Sequence, residues 1–423
     1  MEFDILKGTK DYPPKEQIQI NKIFDIMRKN FELFGFRPFD SPIIEFFDTL
    51  AMKYDESAEI VQEIFKVKDR GDRQLGLRYD LTTPLSRFFA INRNIKKPFR
   101  RYHIGKVFRD GPIKSGRLRE FTQCDCDVIG DKDTLVDAEL LLLYTKVYKE
   151  LGINAVIEIN NNKILKGAFM QSGFDQKDIQ KLILSVDKLK KIGVKGVLCE
   201  IKANGFDVVK AELAINLLNS KDIEELRSLA TNEQLLEGID ELSILKSAIS
   251  TFCDFRINFS MARGLAIYTG NIWEVYDKDE TITSSIGGGG RYDNIIGEYA
   301  GLKENEKVYA VGISFGLIPI LACLEAKEEK NTKEGVTDLL IVPLNNNLSN
   351  YAFTLAEKYR QNNINTEIYY GYKLNKAFEY AQYLGCLKMA IIGEQDSKNN
   401  IYTLKDINTG EQEKINMNNI KMF

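Results

Sequence analysis

Between Phe121 and Ile129 the chain alternates polar and apolar side chains in a way that leaves few folds open to it. Successive side chains of a strand point to opposite faces, so Gln123, Asp125 and Asp127 share one face while Thr122, Cys124, Cys126 and Val128 share the other. The apolar face asks for a core. A row of acids on the opposite face is then costly to bury unless cations meet it. Arg101 to Arg109 alternates in the same manner, and Asp110-Gly111-Pro112-Ile113-Lys114-Ser115-Gly116 reads as a turn, so the two segments are expected to pair as an antiparallel hairpin. Arg109, Arg117 and Arg119 lie within reach of it and are the candidate cations.

At 423 residues the chain has room for roughly two to four domains and a large core. Its 44% hydrophobic and 28% charged residues are those of an ordinary globular protein. A net charge of −3 excludes a global positive field that would draw the whole molecule onto nucleic acid, so any RNA contact must come from a local patch. Six scattered cysteines form no CxxC pair, and apolar packing is the reading of Cys124 and Cys126, which implies a reducing compartment. The single histidine, His103, leaves little from which to build a His-based zinc site or a Ser-His-Asp triad, so no metal site is expected. The N-terminus carries charges where a signal peptide needs an apolar stretch, and no apolar run reaches membrane-spanning length. A cytoplasmic protein with no membrane contact is the expectation.

Along the chain, apolar positions from 15 to 34 recur at helical spacing and stop at Gly35. An extended segment at 36–45, a helix near 47–54, a strand at 75–80 and a helix at 84–91 precede the hairpin, and a helix at 135–151 follows it. Residues 156 to 250 turn Lys-rich and Leu/Ile-rich with helical periodicity, broken at Gly173, Gly193 and Gly205, and read as a helical insertion. Strand character returns from 252 to 315 and contains Gly287-Gly288-Gly289-Gly290, where the cost of four glycines points to a backbone lying close to something bound. Residues 325 to 337 have almost no apolar content and read as a linker. Beyond it, strands at 338–343, 366–370 and 389–393 alternate with helices at 349–362 and 373–384, which predicts a small α/β domain with a largely parallel sheet.

Several constellations carry chemistry. Leu77-Arg78-Tyr79-Asp80-Leu81-Thr82-Thr83-Pro84 ends a strand and opens a helix that Thr82 or Thr83 would cap, and an acid at the strand end suits a substrate ammonium. Lys114, Arg117 and Arg119 have the ordinary explanation of a solvated basic loop. Arg109 ends a strand beside Phe108, where a guanidinium needs an anion, and a phosphate would match its planar fork. Arg263 and Tyr268 bracket Gly264-Leu265-Ala266-Ile267, although Tyr268 could equally be a core residue. The glycine run fits neither the GxGxxG nor the Walker pattern.

These segments, taken in order and spacing, resemble the histidyl-tRNA synthetases, class II aminoacyl-tRNA synthetases, over nearly the whole chain. The resemblance is carried by Gly8-Thr9-Lys10-Asp11-Tyr12-Pro13, by Gly35 to Pro42 (similar to the dimer-interface motif), by Leu77 to Thr82, and by Phe108 to Asp127 (similar to the second motif). It continues in Arg263 to Gly270, in Gly290-Arg291-Tyr292-Asp293, and in Gly371 to Lys376 with Ile391 to Glu394, which resemble the anticodon-binding domain.

The resemblance implies an α+β fold: a class II antiparallel sheet core flanked by helices at 1–155 and 251–325, a helical insertion at 156–250, a linker at 326–337 and an anticodon-binding-like α/β domain at 338–423. It implies a homodimeric ligase that uses ATP and Mg2+ to activate histidine and transfers it to tRNA. Asp80, Thr82 and Gln123 match contacts to the amino acid, and Asp127 and Tyr268 match the pair that reads the imidazole. Arg109 matches the arginine on the α-phosphate and Arg263 the family's own arginine at the reacting groups; Arg117, Gly289 and Gly290 fall at ATP-binding positions. Two departures stand out. Asp110 is followed by Gly111-Pro112 where the family places an acid that touches adenine, and the third motif ends Gly316-Leu317-Ile318-Pro319 where Gly-x-acid-Arg is expected. The missing arginine makes a catalytically silent paralogue, a histidine-sensing regulatory subunit of ATP phosphoribosyltransferase, the competing expectation.

Overall fold

A computed structural model of the chain describes residues 3–52, 59–113, 118–263, 267–303, 306–327 and 334–423. Among these, residues 3–10 with 24–327 form one compact unit and 11–23 with 334–423 a second.

The strands of the first unit are β1 (Arg37–Pro38), β2 (Ile44–Phe46), β3 (Lys66–Lys68), β4 (Gln74–Leu77), β5 (Phe99–Phe108), β6 (Glu120–Ile129), β7 (Ala155–Asn161), β8 (Phe255–Ile257), β9 (Asn271–Asp277), β10 (Gly287–Arg291) and β11 (Ala310–Gly316). Eight of them make one sheet in the order β1-β5-β6-β11-β10-β9-β7-β8, antiparallel except at its two edges, and β2-β4-β3 make a small antiparallel sheet. The hairpin read from sequence is β5–β6, with Arg101 opposite Asp127 and His103 opposite Asp125. On β6 the expected faces hold: Cys124 and Cys126 are fully buried on one side.

On that same back side lies the helix Thr134–Glu150, whose Tyr144 and Tyr148 hydroxyls donate to the carbonyls of Ser314 and Ile286 at 2.8 Å. The helix and a neighbouring strand explain half of the glycine run. A Cβ on Gly287 would come within 2.6 Å of the Tyr148 hydroxyl, and one on Gly289 would overlap the Gly312 carbonyl. Gly288 and Gly290 face the other way, where a Cβ would overlap Arg263 or press on Tyr268. The run is thus squeezed from both faces.

Residues 155–161, expected to open the helical insertion, form β7 between β9 and β8. The β-branched stretch Val156-Ile157-Glu158-Ile159 prefers a half-buried pleated surface, and the helical periodicity that masks it begins downstream. Six helices follow, from Asn162–Gln171 to Glu233–Ile249, with positive φ at Gly173, Gly193 and Gly205, where breaks were expected. Gly167 and Gly238 let the first and last of these helices approach backbone to backbone, since a Cβ on either would lie within 2.8 Å of a main-chain nitrogen of the other.

The second unit contains β12 (Leu339–Pro343), β13 (Thr366–Ile368), β14 (Lys388–Ile392), β15 (Ile401–Asp406) and β16 (Gln412–Asn416), ordered β13-β12-β14-β15-β16. The first three are parallel, as the strand–helix alternation predicts. The sheet is nonetheless mixed, because β15 and β16 add an antiparallel hairpin. β16 lies at the edge and is almost wholly exposed, so it lacks the apolar alternation that marks a strand in sequence. No helix among the described residues is long and apolar enough to cross a membrane.

Candidate active site

The front face of the eight-stranded sheet carries a cavity of about 590 Å³. Its floor is a patch of strand positions without side chains, because Gly288, Gly312 and Gly316 sit where Cβ atoms would meet Arg263, Asp127 and Pro319. Around that floor stand Asp80, Thr82, Arg109, Gln123, Asp125, Asp127, Arg263 and Tyr268. Residues about 180 positions apart in sequence therefore open onto one space.

The acids are met by a cation that sequence reasoning passed over. Arg101 Nη2 lies 2.7 Å from Asp127 Oδ2, both side chains being almost completely buried, and also donates to the Leu81 carbonyl at 3.2 Å. Arg119 is instead 3.2 Å from Asp110, and Arg117 lies outside the described residues. The signal was present in the register, since pairing Phe108 with Glu120 sets Arg101 across from Asp127. Tyr292 donates its hydroxyl to Asp127 Oδ1. Burial pushes the Asp127 carboxyl above the usual carboxylate range, against the pull of Arg101 and Tyr292. Burial likewise raises the Tyr268 hydroxyl, which Arg263 pulls back.

Asp80 does double duty. Its Oδ1 accepts from Thr83 N at 2.8 Å, so Asp80, rather than Thr82 or Thr83, caps the helix Thr82–Ile91, and Thr82 is left to line the cavity. Arg78, two residues before Asp80, does not line the cavity: its Nη1 donates to the Ser41 carbonyl at 2.6 Å and its Nε to the Lys106 carbonyl at 2.8 Å. Arg109 stacks 5.1 Å over Phe121 and donates from Nε to the Tyr79 carbonyl at 3.2 Å. Arg263 donates from Nη1 to the Trp273 carbonyl at 2.9 Å and lies 5.5 Å from the Tyr268 ring. Burial works against its charge, and Tyr268 and Glu274 more than offset that, so its affinity for the proton rises.

Gly289 borders the cavity through its backbone, whereas Gly290 is not among the lining residues. Leu317, Ile318 and Pro319 form an apolar wall. Glu63 crowds the position of Gly111, so the acid next to the turn comes from another segment of the chain. His103 is buried against Asp40, its Nε2 2.9 Å from Oδ1, and burial together with Arg101 and Arg78 pushes its imidazole down to about 3. Two guanidinium groups and three carboxylates around one cleft can hold a zwitterion beside a polyanion.

Comparison with known proteins shows the family. Residues 8–320 match the family described as histidyl-tRNA synthetase, and residues 338–423 match an anticodon binding domain. Histidine–tRNA ligase 1 of Bacillus cereus is 36% identical over 431 residues, covering 100% of both chains. The crystal structure of histidyl-tRNA synthetase from Nostoc sp. superposes with a TM-score of 0.85 at 27% identity, over 98% of this chain and 97% of that one. A Bacillus halodurans structure described as an ATP phosphoribosyltransferase regulatory subunit/histidyl-tRNA synthetase has a TM-score of 0.76 at 20% identity, covering 93% and 99%, a likeness of fold alone.

Proposed function

The chain belongs to the histidyl-tRNA synthetase family, and we propose that its cavity seats histidine and ATP side by side for the reaction of that family. The activity is ATP-dependent ligation of histidine to tRNA. In the first step a carboxylate oxygen of histidine attacks the α-phosphorus and pyrophosphate leaves with the electrons of the broken P–O bond, giving histidyl-adenylate. In the second, a ribose hydroxyl at the tRNA end attacks the acyl carbon, AMP leaves, and the hydroxyl proton passes to solvent.

The roles we assign to residues rest on the convergence of Asp127, Tyr268, Arg109 and Arg263 on one cavity, the observation that carries this reading. Asp127 and Tyr268 take the imidazole, Asp80, Thr82 and Gln123 the amino-acid backbone. Arg109 and Arg263 offset the negative charge that grows on the α-phosphate during attack. The step at phosphorus needs no general base, which suits a chain whose one imidazole is buried and neutral. ATP follows from the family. Magnesium would ride with the triphosphate, which it screens, because among the described residues no cluster of three His, Cys, Asp or Glu is placed to hold a metal.

Residues 338–423 are the proposed tRNA anticodon contact, 1–155 with 251–325 and the added strand β7 the catalytic core, and 326–337 the linker. A homodimer is supported by β2, where the usual order is reversed: Ile44 and Phe46 are about half exposed while Glu45 between them is buried against Arg87. Such an inside-out strand asks for a partner surface. The cytoplasm is the proposed compartment.

One observation favours a second reading. Ile318 and Pro319 stand in the cavity wall where the family pattern has an acid and an arginine for the γ-phosphate, and a histidine-binding regulatory subunit of an ATP phosphoribosyltransferase would not need them. Histidine-dependent exchange of pyrophosphate into ATP separates the two. Exchange is the expected result; none at millimolar histidine removes the ligase reading, and stable association with a phosphoribosyltransferase would support the other.

A further inference from the structure

The face of β6 that looks into the cavity holds one acid beyond those already given a role. Asp125 is 5% exposed and lines the cavity between Gln123 and Asp127. Its Oδ1 has no hydrogen-bond partner, and neither has Oε1 of Gln123, two residues away on the same face. Buried acceptors left without donors are uncommon, and each is costly unless a ligand brings the donor. No surrounding donor closes on Oδ1 of Asp125. Arg101 gives Nη2 to Asp127 while its Nε and Nη1 meet no acceptor, and His103, the register partner of Asp125, lies against Asp40. Ser314, the partner on β11, serves the Asp125 carboxylate, leaving Oδ1 open.

We infer that Asp125 is a substrate-binding residue that accepts from the α-ammonium of the bound amino acid, completing a cage with Asp80 and Gln123. This inference rests on the histidine reading of the cavity. An ammonium carries three donors and needs acceptors from three directions. Asp80 Oδ1 already receives the Thr83 amide, and both oxygens of Asp127 face Arg101 and Tyr292. The two orphan acceptors supply what is missing.

A charge consequence follows. The groups facing Asp125 are Arg101 and His103 on β5, Asp127 on β6, Ser314 on β11, Asp80 at the end of the β4 segment, Tyr144 behind the sheet, and Tyr268 and Tyr292 beside the cavity. Burial first, with Asp127 and Asp80 adding, pushes the Asp125 carboxyl up to about 7, while Arg101 and Ser314 pull it down. In the empty cavity it is therefore partly protonated at neutral pH. An ammonium placed against it favours the carboxylate, so binding expels a proton.

The test is titration calorimetry of the full chain with histidine and with imidazolepropionic acid, which keeps the ring and the carboxylate and lacks the amino group. Titrations at pH 7 in two buffers of different ionisation heat count the protons released. The unmodified protein is expected to release more protons with histidine than with the deamino compound. Asp125→Asn is expected to weaken histidine about 10- to 100-fold, the range for hydrogen bonds to charged groups, while leaving the deamino compound within about twofold. Equal loss for both ligands, or loss for neither, overturns the assignment. Should the variant fail to fold, equal proton release by the two ligands from the unmodified protein overturns it. Failure of the unmodified protein to bind histidine at all overturns the histidine reading itself and this assignment with it.

Discussion

Arg101 and Asp127 face each other across the β5–β6 hairpin, Nη2 to Oδ2 at 2.7 Å, with less than a twentieth of either side chain exposed. A buried pair of this kind contributes little net stability while intact, and its rupture is expensive because the survivor stays charged and buried. Arg101→Met should therefore destabilise the first unit by about 3–5 kcal/mol in urea unfolding. It should also weaken histidine, because Asp127 and Asp125 would then hold their protons to higher pH. Asp127→Asn, which removes the charge and keeps the shape, should cost less in stability and more in histidine affinity.

The Arg263 guanidinium occupies the space above Gly288 that a side chain would need. Gly288→Ala should displace it and lower the pyrophosphate exchange rate about a hundredfold, the order expected when a positioned group moves by about 1 Å. Arg263→Ala should abolish exchange and leave histidine binding measurable. A collapse of histidine affinity in Arg263→Ala would place the guanidinium on the amino acid instead of the reacting phosphate.

With its folded value near 7 and an unfolded value near 3.9, Asp125 binds its proton more tightly in the folded state. The sign is therefore that stability falls as pH rises from about 4 to about 7 and stays low above. Asp125→Asn removes that slope. Ligand-free Asp125→Asn should melt higher than the parent at pH 8, by at most about 4 kcal/mol, and at the same temperature as the parent at pH 4. Thermal scans at the two pH values check it, and a variant that is less stable at pH 8 would contradict the burial argument.

Pro319 is the third residue of the helix Leu317–Lys327, within the first turn, where backbone N–H groups lack helical partners and proline is tolerated. Arginine is tolerated there too. Pro319→Arg should lower the KM for ATP about tenfold in the exchange assay through a charge-assisted contact to the triphosphate. An unchanged KM would mean that the nucleotide's terminal phosphate lies away from this wall.

For the inside-out strand, sedimentation should give about twice the chain mass of 48.3 kDa, and Phe46→Asp should return the protein to a single chain. A monomeric parent would require another explanation for Ile44 and Phe46.

Period-two alternation made the hairpin and its acid row legible in the sequence, because a strand with one face in a core and one in a polar site has no other pattern. The pairing of Arg101 with Asp127 was not legible in the same way, since partners across a hairpin depend on register, and an eleven-residue loop leaves several registers open. Asp80 was readable as a ligand but missed as the cap, because its carboxylate reaches forward three residues and side-chain reach has no signature in spacing. The strand β7 was hidden by the lysine-rich helices after it, and β16 by its exposure at a sheet edge. Gly288 and Gly290 lie against Arg263 and Tyr268, whereas Gly287 and Gly289 answer to Tyr148 and to the neighbouring backbone, a distinction only the pleat reveals.

His103 is the single imidazole of the chain, and its burial against Asp40 between two arginines leaves it uncharged through the physiological range. The protein is thus silent at the frequencies where imidazoles titrate. In a heteronuclear magnetic-resonance experiment, any ring signal that moves between pH 5 and 8 would belong to the bound amino acid alone, so its protonation state could be read without isotope editing against a background of the protein's own.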